Sequence, residues 1–245
     1  MQSGRKHSDG RMVCAIHQPN FFPWLGFFDK IRRADIFVLL DDVLLAKSGS
    51  GMGSWSNRVR IDIQGEAHWF GCPLRREAGG QPLRAVRIDE RQPWRKKLQR
   101  TLEMHYRRAP YFDETMALIA PLLDFPAENL VQYNINAIQA LAPRLGFRAR
   151  FVRQSALGIA GKGNELLIDL VKAVGASVYL SGDGADGYQR PELFAAQSIE
   201  LVLQNFEARP YRDGYMPGLS VIDYLMHVAP GRLGLAGFAE TAAAV

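Results

Sequence analysis

The chain has 245 residues, 47% of them hydrophobic, which is enough to fill one sizeable core, and its formal charge of +5 favours anionic ligands without singling out nucleic acid. Its two cysteines, Cys14 and Cys72, sit in apolar or aromatic surroundings without CxxC spacing, which excludes a disulfide framework and a zinc knuckle and points to a reducing cytoplasm. No run approaches the ~18 apolar residues that cross a bilayer, and the polar opening MQSGRKHSDGR lacks the apolar stretch of a signal peptide.

Residues 1–11 are expected to form a disordered tail, and residues 12–245 a single α/β domain. MVCAI (12–16) and IFVLLDD (36–42) are apolar runs of strand length. Between them WLGFFDKIRRA puts Leu25, Phe28 and Ile31 on one helical face, with Pro19 and Pro23 flanking the helix start. A strand-helix-strand unit of this size predicts two neighbouring parallel strands, with ligands beyond their carboxyl ends. His17, Gln18 and Asn20 leave the first strand there and Asp41 and Asp42 leave the second, so the two clusters should share one rim.

The middle, about 50–112, reads as an insertion. WSNRVRIDIQGEAHWFGCPL alternates around Gln64-Gly65, which predicts an antiparallel hairpin. A helix follows with Trp94, Leu98, Leu102 and Tyr106 along one apolar stripe and a basic opposite side. YNINAIQALAPRLG is a further helix, RARFVRQ (148–154) a strand, and SALGIAGKG a glycine-bearing loop. NELLIDLVKAVG is a helix with Leu167, Leu170, Val171 and Val174 inward, Asn164 as its cap and Gly175 as its stop. SVYLSGDGADGY leaves a last strand into a loop, and about 190–245 remains as a C-terminal appendage. The whole predicts a Rossmann-like, mainly parallel sheet flanked by helices.

AIHQPNFFPWLGFFDKI, the paired Asp41-Asp42, WSNRVRI, Trp94 with Lys97, YRRAPYF, LGF at 145–147, GASVYLSG and MPGLSVIDYL follow one another in an order that resembles the WbqC-like family, bacterial proteins associated with O-antigen and other surface-glycan gene clusters. The resemblance covers about residues 13–225. It implies a transferase, with glycine transfer onto a sugar proposed for some members, and it makes Trp24 and Lys97 candidate substrate contacts. Cys72 departs from the family pattern, where a β-branched residue is usual, so the resemblance lends no cysteine nucleophile.

His17 is the candidate general base, because imidazole titrates near neutral pH and a rim loop presents it to substrate; a histidine that only fixes its turn is the alternative. Asp41 and Asp42 alternate sides, so at most one should face the same substrate, leaving the other to cap a helix or pair with an arginine. A metal held by His17 and an aspartate lacks a third ligand at recognisable spacing. Arg58 and Arg60 share one side of their strand beside Asn57 and suit a phosphate or carboxylate, or a surface ion pair. Tyr106, followed by Arg107 and Arg108, either closes over an anion or is a core tyrosine. Lys162, in GIAGKGN, lies where a phosphate cradle would, yet the spacing fits neither a P-loop nor a dinucleotide fingerprint. Ser181, Asp183 and Tyr188 belong to a loop that either contacts substrate or merely turns.

No GxSxG elbow, HExxH helix or EF-hand loop occurs, and no aromatic-basic interleaving marks a nucleic-acid motif. The expected function is transfer of a small acyl or aminoacyl group onto an amine of a sugar or related metabolite, from an anionic donor that is free or carrier-bound. The alternatives are a non-catalytic binder of a nucleotide-sugar or anion and a metal-assisted hydrolase. The sequence identifies no cofactor and does not give the oligomeric state.

Overall fold

The first apolar run forms β1 (Val13–His17) and the second β2 (Ile36–Leu39), paired in parallel with Cys14 opposite Ile36 and His17 opposite Leu39. The computed structural model describes residues 10–45, 54–75, 80–182, 189–234 and 236–238. The hairpin strands are β3 (Arg58–Ile63) and β4 (Glu66–Gly71), and three further strands follow, β5 (Arg150–Arg153), β6 (Val178–Ser181) and β7 (Glu200–Leu203). Five strands form one parallel sheet in the order β5-β2-β1-β6-β7, and β3 with β4 forms a separate antiparallel pair. The fold is therefore α/β, as the run lengths imply.

The strand order runs outward from β1 in both directions, so the chain reverses its direction of travel between β1 and β6. That gap is the topological switch point, where open α/β sheets leave a crevice at their carboxyl ends.

Alternation along the strands separates two cores. Val13, Ala15, Phe37 and Leu39 join the larger cluster, with α1 (Leu25–Arg33), α2 (Trp94–Tyr106), α4 (Leu130–Arg144) and α8 (Val221–His227). Cys14, Ile16, Ile36 and Val38 join the smaller one with α6 (Gly163–Ala173) and α7 (Pro191–Ala195). Among the described residues the other α-helices are α3 (Phe112–Leu123) and the single turn α5 (Gln154–Leu157).

Helix α1 buries Leu25, Phe28 and Ile31 as its spacing predicts, and also Phe27 and Lys30. Stripe residues Trp94, Leu98, Leu102 and Tyr106 are the buried ones of α2. Gln64 and Gly65, at φ 56° and 85°, make the two-residue turn whose hand matches the strand twist.

In α6 the inward residues are Leu166, Ile168, Leu170 and Val171, with Val174 at its end, whereas Leu167 is only half-buried. The expected cap is also displaced: the helix begins at Gly163, Lys162 takes the N-cap position, and the Asn164 side chain accepts from the Arg190 amide at 3.3 Å. Gly175 ends the helix with φ 73°. Residues 200–203 add β7 as an edge of the main sheet, beyond β6. Among the described residues, no helix is long and apolar enough to cross a membrane.

Candidate functional site

β1 ends at His17, beside the switch point, and its imidazole packs on Phe27 of α1 with ring centroids 5.1 Å apart. Nδ1 lies 2.8 Å from the Gln18 carbonyl oxygen, which can only accept, so in the neutral ring Nδ1 carries the hydrogen and Nε2 the free lone pair. Burial, reinforced by the Lys30 ammonium, pushes the imidazole pKa down to about 3. Taken as a whole residue, His17 is only partly buried. It is therefore a neutral, proton-accepting group throughout the physiological range.

Lys30, which sequence reading passed over, is 3% exposed and donates to the Ile16 carbonyl at 3.0 Å. Helix α1 thus delivers a buried cation to the underside of the rim. Ser181 ends β6 on the other side of the gap, fully buried, its hydroxyl 3.3 Å from the Gly182 carbonyl.

The loop from Gln18 to Trp24 is held from several directions. Gln18 donates to the Leu44 carbonyl at 3.2 Å and accepts from the Ser56 hydroxyl at 3.3 Å. Asn20 is buried. Asn134, fully buried on α4, donates to the Pro19 carbonyl at 2.8 Å and the Ser56 carbonyl at 2.7 Å. The Phe21 amide donates to the Trp55 carbonyl at 2.9 Å. Phe22 is held at φ 38°, a conformation costly for a side chain of its size, about 1–3 kcal/mol, and its carbonyl accepts from the Ser220 hydroxyl at 2.8 Å. A strained, over-determined loop beside a switch point is built to hold one shape.

The aspartates leave β2 on the same edge of the sheet but turn away from His17. Asp41 is fully buried and its carboxylate is engaged by Arg153 at 2.8 Å and by the Ser155 amide and hydroxyl at 2.9 and 2.7 Å. Asp42 faces the other way, paired with Arg84 at 2.5 Å. The alternation expected of neighbours is present, and both acids find arginines.

Asn57 shapes its turn, accepting from the Ser54 amide at 2.8 Å and donating to the Cys72 carbonyl at 3.1 Å. Arg58 and Arg60 share one face of β3, lying against Trp69 at 4.3 and 5.7 Å from its ring centroid. Trp24, half-buried at the start of α1, stands 6.3 Å from Trp55 and 5.5 Å from Phe206. The 18–24 loop and the hairpin therefore meet along one border.

Other candidates lie elsewhere. The Tyr106 hydroxyl accepts from the Asp62 amide at 2.8 Å and donates to Asp223 at 3.0 Å, within a buried network that also holds Tyr211 and Arg212. Tyr106 is buried, and burial raises the pKa of its hydroxyl. Lys97 is exposed on α2, and Lys162 is exposed at the start of α6. Asp183 and Tyr188 lie outside the described residues. Cys14 and Cys72 are buried free thiols, and burial pushes that of Cys14 up to about 12 and raises that of Cys72, so neither is a ready nucleophile. Among the described residues, no three His, Cys, Asp or Glu side chains gather as a metal cage.

Comparisons with known proteins agree with this chain order. The chain is 30% identical over 222 residues to the uncharacterized protein Rv1507c of Mycobacterium tuberculosis (strain ATCC 25618 / H37Rv), a match that spans 87% of this chain and 93% of that protein. No solved structure matches. The WbqC-like protein family profile covers residues 18–233, from the glutamine after the rim histidine to Leu233, and the chain belongs to that family.

Proposed function

We propose that the protein is a transferase that moves a small acyl or aminoacyl group, glycine-like in size, onto an amine of a sugar or related metabolite. One observation carries this reading: a histidine whose free lone pair is fixed on Nε2 stands at the carboxyl end of β1, beside the switch point.

In this chemistry the acceptor nitrogen attacks the acyl carbon, forming an N–C bond. The nitrogen becomes positively charged and its proton passes to His17 Nε2. The carbon–leaving-group bond then breaks, the leaving group departs with the electron pair, and the proton is returned to it. A weakly basic imidazole suits this order, because it takes its proton from a nitrogen made acidic by the new bond. The positive potential of Lys30 beneath the rim favours the negative charge that develops on the acyl oxygen. Asp41, sealed from solvent, acts here as a positioning residue for the exit of β2, and Arg58 and Arg60 hold the anionic part of a donor that is free or carrier-bound. The buried free thiols suit a cytoplasmic setting.

The test uses a glycyl thioester or glycyl adenylate as donor and an amino sugar as acceptor, with the product read as the added mass of a glycyl residue. His17→Ala should lower turnover by about 10²–10⁴-fold. Turnover within a few-fold of wild type would remove His17 from the reaction. A second reading, a binder of a nucleotide-sugar or anion without turnover, draws on the low basicity of His17. It predicts saturable thermal stabilisation by ligand and no product.

A further inference from the structure

The β3–β4 hairpin carries more than its two arginines. Cross-strand pairing sets Arg60 opposite Trp69 and Arg58 opposite Gly71, and strand alternation puts all four on one face. Trp69 is 46% exposed, although a large indole is usually better covered. The Arg58 guanidinium lies 4.3 Å from its ring centroid, and Trp55 meets it edge-on at 4.9 Å. Arg60 lies to one side of the indole pair, 5.8 Å from Trp55 and 5.7 Å from Trp69.

Backbone elsewhere in the chain has made room for this arrangement. Gly218 adopts φ 77°, and a Cβ there would fall 2.0 Å from Arg60 Nη2. That nitrogen instead donates to the Pro217 carbonyl at 2.7 Å, which fixes the plane of the guanidinium. The strip is continuous with the rim, because Trp55 accepts from the Phe21 amide and Ser56 donates to Gln18.

Flat indoles interleaved with fixed guanidinium groups suit a ligand that is planar at one end and anionic at the other. We propose that this strip binds a nucleoside diphosphate, with the base stacked on Trp69 beside Trp55 and the diphosphate held by Arg58 and Arg60. This rests on the reading of the neighbouring rim as a binding edge and names the substrate class of that site. A nucleotide is favoured over a nucleic-acid strand because the strip is short and its β3 cations end at Arg60. Asp62, the next residue on the strip's face, has its carboxylate paired with Arg212 at 2.6 Å, so no further cation of β3 continues the strip for a longer phosphodiester.

The experiment titrates the full chain with UDP, ADP, pyrophosphate, N-acetylglucosamine and an eight-residue oligothymidylate, following tryptophan fluorescence and calorimetry. UDP or ADP should bind about tenfold or more tighter than pyrophosphate, the difference being the stacked base. Trp69→Ala should reduce nucleotide affinity to that of pyrophosphate, and Arg60→Gln should weaken both. Equal affinity for nucleotide and pyrophosphate in the wild-type chain overturns the proposal, as does unchanged nucleotide binding in Trp69→Ala. Tighter binding of the sugar or of the oligonucleotide than of UDP and ADP also overturns it. Nucleotide binding with no glycyl product would remove the transferase reading and leave this one standing.

Discussion

The ammonium of Lys30 hydrogen-bonds the carbonyl of Ile16 at 3.0 Å, which sets a buried cation one residue along the strand from the His17 imidazole. The two groups face the same end of the sheet and oppose each other's charge. A protonated His17 would stand beside Lys30 with little solvent to screen the pair, so the ring stays neutral.

That neutrality makes stability depend on pH. The unfolded chain binds a proton at this histidine below about pH 6.5, while the folded chain resists until about pH 3. Stability should therefore fall as the pH drops through this window, with His17 contributing a loss of about 2 kcal/mol by pH 5. Urea denaturation at pH 7 and pH 5 checks this, and His17→Gln should show a smaller difference than wild type. An unchanged difference would mean that His17 titrates normally.

Lys30→Met should raise the His17 pKa but leave it below the ordinary value, because burial is the larger cause and the cation the second. Imidazole proton shifts in an NMR titration read this directly. A pKa that does not move on removing the ammonium would show that the two charges are insulated from each other.

The paired acids should respond very differently to truncation. Asp41→Ala strands the Ser155 amide and hydroxyl and unpairs Arg153, and should cost about 2–4 kcal/mol. Asp42→Ala removes one pair at a half-exposed position and should cost less than about 1 kcal/mol. Chemical denaturation of the two variants distinguishes them, and equal losses would contradict the observed pairing.

Gly26→Ala should destabilise the protein, although alanine in place of glycine within a helix is ordinarily favourable by about 1 kcal/mol. A Cβ at this position would lie 2.3 Å from the Trp24 ring, which folds back over the first turn of α1. The indole must move, and with it its contacts to Trp55 and Phe206. A lowered Tm with altered tryptophan emission is the expected result.

Much of the parallel sheet could be read from run lengths, because β1, β2 and β6 are short apolar runs with residues buried on both faces. The hairpin was legible for another reason: Gly65 suits a positive-φ turn position between two alternating runs, although Gln64 must adopt φ 56° as well. β7 is hard to read because its apolar run is only a few residues long and lies at a sheet edge, with both end residues exposed. Helix α8 is hidden by its seven residues, six of them buried, which leave little polar face to set a period. In α6, Leu166 and Leu167 are adjacent, and a stripe one residue out of phase reads almost as well.

The site was legible as a set of strand ends but not as pairings. Nothing near Asp41 in sequence announces Arg153 and Ser155, which arrive through β5 from over a hundred residues away. Lys30 stayed out of view because buried lysines are rare, though its place three residues after Phe27 set it on the apolar side. Trp55 and Trp69 read as ordinary alternating strand residues until the fold brought Arg58 and Arg60 against them.

One carboxamide joins two of these regions. Asn134 spends both amide hydrogens on the carbonyls of Pro19 and Ser56, so a single side chain serves as a rivet between the proline-rich turn and the entry to the hairpin. Aspartate would bring a repelling charge, leucine would abandon both oxygens in a dry interior, and glutamine is a methylene too long. Of the twenty amino acids only one meets the three demands of size, neutrality and twofold donation, so this inconspicuous position should be among the least replaceable in the chain.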